Sequence, residues 1–177
     1  MARFRDTLRH IRDDLRGAVS AEFGVLVPVL LFLFLGSIEV VNLVRVERKL
    51  VVAAQTAANL ATLQASITAA DVADVFRAAE LVMQPFDAAP MAGALASVRY
   101  AEPDGTPSVD WQDSLRGGTV PEPAAQAVGL GLPGESVVIV RLTYAYRPLL
   151  SGLVIGEVDL DERAFARPRR SGFVALN

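Results

Sequence analysis

The sequence predicts an α+β chain in which a long N-terminal helix, first membrane-spanning and then amphipathic, and a second helix pack on a small antiparallel sheet. Sixteen residues without a charge run from Phe23 to Ile38, and an apolar stripe spaced by three and four continues from Leu43 to Leu60. Beyond residue 85 the pattern changes to β-type runs punctuated by Pro and Gly.

The anchor comes first. After Glu39 the apolar run resumes through Val40, Val41, Leu43 and Val44, so Phe23–Val44 forms one stretch. At ~1.5 Å per residue it reaches about 33 Å, enough for a hydrocarbon core of ~30 Å. Arg3, Arg5, Arg9, Arg12 and Arg16 precede it, against Arg45, Arg48 and Lys49 after it. The basic excess before the span predicts a cytoplasmic N-terminus, with residues 45–177 outside the cytoplasm. Two carboxylates interrupt the stretch where charge is costly, at ~2.5–3.5 kcal/mol near a bilayer centre. Glu22 falls at its start, and Glu39 falls about 25 Å further along, near the opposite interface. For Glu39 two readings stand side by side, a carboxylate reaching for interfacial water and one that meets another subunit.

Leu43, Val46, Leu50, Ala53, Ala57 and Leu60 mark the stripe, and neither Gly nor Pro occurs between Gly36 and Pro85. The anchor helix is therefore expected to continue to about Leu63, with its small Ala face suited to close packing. A second helix should start after Thr68, with Asp71 in the capping-box position and Val72, Val75, Phe76, Ala79, Val82 and Met83 as its buried face, and Pro85 should end it. A loop is expected at 85–93. Strands are expected at 95–101 and 108–113, joined by a turn containing Asp104-Gly105. A Gly/Pro-rich connector at 117–134 then leads to the strongest strand, 136–146, and to a last one at 157–166. The organisation expected is a leader at 1–17, a transmembrane segment at 18–44, a helical region at 45–84 and a β-rich region at 85–177.

The composition excludes several function classes. The net charge of −3 hides a basic leader, so the remainder is acidic, which argues against nucleic acid as a partner. Without cysteine there is no disulfide, thiolate metal site or thiol nucleophile. His10, the single histidine, sits among arginines and reads as a solvated polar residue. Gly129-Leu-Gly-Leu-Pro-Gly134 has the letters of a dinucleotide fingerprint but follows a Pro/Ala-rich loop and precedes a strand, so it reads as a loop. Asp159, Asp161 and Glu162 read as a solvated strand face and not as a metal site. No serine lies in a nucleophile motif. The chain is read as no enzyme, with no catalytic residues, no cofactor and no metal.

Gly17, four residues, Glu22 and then Phe23 opening an apolar helix is the pattern of prepilins cut by prepilin peptidases. The stretch from Arg16 to Thr62, with Pro28 inside the helix and Glu39 near its end, resembles the TadE/TadG-like minor pilins, or pseudopilins, of the bacterial tight-adherence (Flp) pilus. Tyr144–Leu149 and Ala166–Arg169 resemble that family's C-terminal half. The resemblance implies a pilin-like fold and cleavage between Gly17 and Ala18 on the cytoplasmic face of the bacterial inner membrane. It implies a periplasmic C-terminal domain and a processed subunit that supports assembly or priming of the pilus. Phe23, where major Flp pilins commonly have Tyr, and the length of the chain favour a minor pilin over the bulk subunit. The implied partners are the prepilin peptidase, other pilus subunits, inner-membrane assembly proteins and membrane lipid. After cleavage the Ala18 amino group would lie one helical turn from Glu22, or meet it between neighbours, neutralising two buried charges. The competing readings are an uncleaved signal-anchored envelope protein with a periplasmic protein-binding domain, and a secreted protein with an ordinary signal peptide.

Overall fold

The computed structural model describes residues 15–148, 156–169 and 171–177. His10 and Arg3–Arg12 of the expected leader, Leu149 and Arg170 lie outside the described residues. The chain divides into two units, 1–41 and 42–177.

The described part of the first unit belongs to helix α1, Leu15–Ala61, which runs through Gly17, Ala18 and Pro28 without a break. Proline removes one backbone N–H and crowds the carbonyl four residues back. That residue is Gly24, whose missing side chain leaves the local backbone free to adjust. Between Val19 and Phe34, eleven large apolar side chains are 43–70 % exposed. Covering each would gain about 1 kcal/mol, so leaving them in water costs on the order of 10 kcal/mol. A surface of that kind belongs in lipid or against other apolar helices, and α1 is long and apolar enough to cross a membrane.

In the second unit the remainder of α1, from Asn42, turns its stripe inward. Val46, Leu50, Ala53, Ala54, Ala57, Ala58 and Ala61 are buried. The helix ends in a tightened turn, with Thr62 and Leu63 N–H donating to Asn59 and Leu60 carbonyls. A two-residue strand, β1 (Ser66–Ile67), follows. Helix α2, Ala69–Met83, opens with the expected box: Thr68 Oγ1 accepts the Asp71 N–H at 3.2 Å, and Asp71 Oδ2 accepts the Thr68 N–H at 2.7 Å. The Thr68 N–H and then the Thr68 hydroxyl, both donated to Oδ2, hold the Asp71 carboxyl below its usual range. Val72, Val75, Phe76, Ala79 and Met83 form the buried face.

The sheet contains β2 (Met91–Tyr100), β3 (Pro107–Leu115), β4 (Ser136–Tyr146) and β5 (Val158–Ala166), in the order β3-β2-β4-β5, every pair antiparallel. The β2–β3 turn closes as expected, with the Ala101 N–H donating to Thr106 at 3.0 Å and Gly105 at φ 70°. One expectation is corrected, because β2 starts at Met91, inside the stretch read as loop. Small residues disguised it. A Cβ at Gly93 would stand 2.6 Å from the Leu142 side chain and 3.0 Å from that of Phe76, so this stretch is bare in order to let α2 approach.

Both faces of the sheet are used. On one, Met91, Leu95, Trp111, Val138, Val140, Leu142, Tyr144 and Ala164 join the α1 and α2 side chains in the main core. On the other, the 117–134 connector lays Val120, Ala127 and Leu130 over Ala94, Ala96, Val98, Tyr100, Val137 and Ile139. The connector holds a helical turn, α3 (Pro123–Gln126), absent from the sequence reading. This second layer explains the pattern of β4, continuous burial at 136–140 and alternation beyond, since only its first half is covered on both faces. A second feature not foreseen is β6 (Ala175–Leu176), which pairs in parallel with β1. It is fastened by the Trp111 indole N–H donating to the Val174 carbonyl at 2.8 Å.

Candidate functional site

The sequence-predicted site residues lie along the N-terminal part of α1. Gly17 and Ala18 are helical, so the expected cleavage point falls within the first turn of α1. Glu22 and Phe23 follow within a turn and a half, and both are exposed. Helical spacing puts position 22 on the face of position 18. Among the described residues Glu22 forms no ion pair. Pro28 sits within the exposed apolar stretch. Glu39 is 2 % exposed and has an interaction partner. About 25 Å of helix separates it from Glu22, and the two do not form one site.

The acidic residues of β5 do not converge either. Asp159 and Asp161 alternate with Glu162, which points to the opposite face. Arg141 grips Asp161 with Nε at 2.9 Å from Oδ1 and Nη2 at 2.7 Å from Oδ2, while its Nη1 donates to the Thr119 carbonyl at 2.8 Å. This bidentate pair pulls the Asp161 carboxyl down and the Arg141 guanidinium up, and it ties the connector to the sheet. Glu162 is shifted upward, first by desolvation and then by the charge of Glu47. Among the described residues no cluster of three or more His, Asp or Glu is placed to hold a metal. The 129–134 segment is a loop: Gly131 lies against the Tyr100 ring, where a Cβ would stand 2.1 Å from Cε2, and the Tyr100 hydroxyl donates to the Ala127 carbonyl at 2.5 Å.

One site escaped the sequence reading. Arg45, Arg48, Lys49 and Val52, spaced i, i+3, i+4 and i+7 on α1, line a groove of about 410 Å³ with Pro85 and Phe86 from the α2–β2 turn. A neighbouring groove of about 370 Å³ also uses Phe86 and brings Asn42 and Val46 of α1 beside Pro90, Tyr146 and Arg147. The helical spacing of the three cations is legible in the sequence, where they read as flanking charge that sets topology.

Comparison with known proteins bears on the N-terminal third. Residues 17–59 match the family model described as TadE-like protein. The match begins at the predicted cleavage glycine and ends in the part of α1 whose Ala face is buried. No curated protein and no solved structure matches the chain. A Gly17-to-Glu22 prepilin pattern, an exposed apolar helix and a family match over the same residues agree: this chain carries a TadE-like segment at residues 17–59, the mark of a protein associated with the tight-adherence pilus.

Proposed function

We propose that this chain is a minor-pilin-like subunit that supports assembly or priming of a tight-adherence pilus, and that it is a structural protein and not a catalyst. On this reading α1 anchors it in the bacterial inner membrane as a single pass, with the leader in the cytoplasm and the 42–177 unit in the periplasm. A prepilin peptidase cuts after Gly17, and the processed chain meets other pilus subunits and inner-membrane assembly proteins. The observation that carries the reading is the coincidence of three features over one segment: the TadE-like match, the Gly17-to-Glu22 spacing, and eleven apolar side chains left uncovered.

The chemistry of the segment supports a division of labour. Glycine at 17 leaves the backbone open to a protease. Cleavage would remove a basic leader that opposes extraction from the membrane and would create a cationic Ala18 amino group. That group can pair with Glu22 of the same chain or of a neighbour, where a charge-assisted contact is worth ~1.5–3 kcal/mol. The test is the N-terminal sequence of the mature protein from the membrane fraction. Ala18 supports the reading, whereas Met1 replaces it with an uncleaved signal anchor, and a start near residue 54 replaces it with a secreted domain.

A further inference from the structure

The two ends of strand β2 lead to regions of opposite, uncompensated charge. Before its first residue, the groove beside Arg45 gathers Arg45, Arg48 and Lys49 with the apolar side chains of Val52, Pro85 and Phe86. None of the three cations forms an ion pair among the described residues, and neither Arg45 nor Arg48 is buried. The carboxylates nearest in sequence are engaged elsewhere. Asp87 accepts the Ala89 N–H at 2.9 Å, and Glu47 faces β5, where desolvation and then the Glu47 charge raise the Glu162 carboxyl. Beyond the last residue of β2, Glu102-Pro103-Asp104 forms the turn into β3, and Ala101 to Asp104 are all exposed. Neither Glu102 nor Asp104 forms an ion pair among the described residues. Asp104 is fixed in place: its Oδ2 accepts the Thr106 hydroxyl at 2.6 Å and its Oδ1 the Thr106 N–H at 3.2 Å. These two bonds, the hydroxyl's first, hold the carboxyl below its usual range and so ionised. The ten residues of β2, at ~3.3 Å each, put the acidic turn and the cationic groove roughly 30 Å apart, too far to meet within one copy.

We propose that the acidic turn of one copy of this chain docks in the cationic groove of a second copy, with Glu102 and Asp104 against Arg45, Arg48 and Lys49 and the Pro103 ring against Val52, Pro85 and Phe86. Two carboxylates meet three cations, and an apolar ring meets an apolar lining, so both kinds of complementarity favour the same pairing. The two patches differ, so the contact runs head to tail. Each pair keeps one free groove and one free turn, which lets further copies extend it into an open row or close it into a ring. This self-association goes beyond the pilin reading and stands whether or not the chain is cut at Gly17.

The chain has no cysteine, so introduced cysteines report the contact without background. Val52→Cys and Ala101→Cys are prepared separately as full chains in neutral detergent, mixed, and treated with a short bismaleimide. The mixture should give a 52-to-101 product in excess of the dimers that either variant forms alone. Salt at ~1 M, where the screening length falls to ~3 Å, should remove most of that excess. Glu102→Lys in the Ala101→Cys chain leaves the Asp104–Thr106 bonds in place and should lower the yield about fivefold. Arg45→Glu/Arg48→Glu in the Val52→Cys chain should lower it at least as far. Combining that reversed groove with a Glu102→Lys/Asp104→Lys turn should restore the product, a rescue that misfolded chains would not give. No excess of the mixed product, an excess unmoved by salt and by Glu102→Lys, or a photo-cross-linker at position 48 that captures a different protein in cells in place of this chain would each overturn the proposal.

Discussion

Replacing Gly131 by Ala tests whether the connector is a structural layer of the sheet. Gly131 has no unusual φ, so the penalty is one of space: the added Cβ would meet Tyr100 Cε2 at 2.1 Å, Cδ2 at 2.6 Å and Cζ at 2.8 Å. A ring that is 2 % exposed, with its hydroxyl bound to the Ala127 carbonyl, cannot swing aside without breaking that bond and uncovering its neighbours. Overpacking of this type costs about 1–3 kcal/mol. At roughly 4 °C per kcal/mol for a unit of this size, the midpoint should fall by about 4–12 °C. The single tryptophan, Trp111, lies in the core of the same unit and reports its unfolding by fluorescence in detergent. Gly129→Ala is the control, since φ there is +78° but nothing stands within 4 Å of the added Cβ, leaving only a backbone cost of ~1–2 kcal/mol. Gly131→Ala/Tyr100→Leu should recover part of the loss. If Gly131→Ala leaves the midpoint at the wild-type value, the connector is not seated on Tyr100 and the second layer is misassigned.

Gly17→Leu should leave a full-length, membrane-inserted, inactive precursor, visible as one slower band on a blot. Glu22→Leu should still be cut but should fail to co-purify with other pilus subunits, and Glu22→Asp should be intermediate because charge is kept while reach shortens; unchanged pilus formation in both Gly17→Leu and Glu22→Leu would sink the prepilin reading. A reporter fused after Arg48 should be active only as a periplasmic reporter, and cytoplasmic activity there would reverse the topology. Asp71 and Asp161 have folded pKa values below their unfolded ones, so their stabilisation is present above the unfolded carboxylate pKa and is lost as pH falls through the folded values. Glu162 has the opposite sign: its raised pKa favours folding when protonated, a contribution present at low pH and lost as pH rises through the folded value. Glu162→Gln should therefore raise the neutral-pH midpoint, and Asp161→Asn should lower it while flattening the acid limb.

Helices were legible because their signals are local. Thr68 with Asp71 is a complete start signal within four residues, and the stripe from Leu43 to Leu60 repeats for five turns without a breaker. The 136–146 strand was legible by its apolar run, and even its change of pattern carried information about a second covering layer. What the sequence did not disclose depends on partners far along the chain. Gly93 is needed only because Phe76 and Leu142 arrive there, and β6 exists only because β1 and Trp111 hold it. The prepilin pattern at Gly17–Phe23 was readable as a motif and the groove at Arg45 was not, since one wall of that groove comes from Pro85 and Phe86, some forty residues away in the chain.

On the proposed reading, the energetics of α1 also explain why charge should govern its assembly. Leu, Val and Phe side chains on the Val19–Phe34 stretch are covered equally well by lipid tails and by the apolar faces of neighbouring helices, so exchanging one for the other yields almost no hydrophobic gain. The same eleven side chains that make the helix insert therefore leave its next partner unspecified. Groups that differ between the two environments have to supply the bias. Glu22 is exposed and without an ion-pair partner among the described residues, and a carboxylate in that state is costly at the edge of a bilayer and favourable beside a cationic amino terminus. A subunit built in this way inserts by its apolar residues and is selected for assembly by its charged ones. Neutralising position 22 should for that reason leave membrane insertion intact while removing the preference for partners.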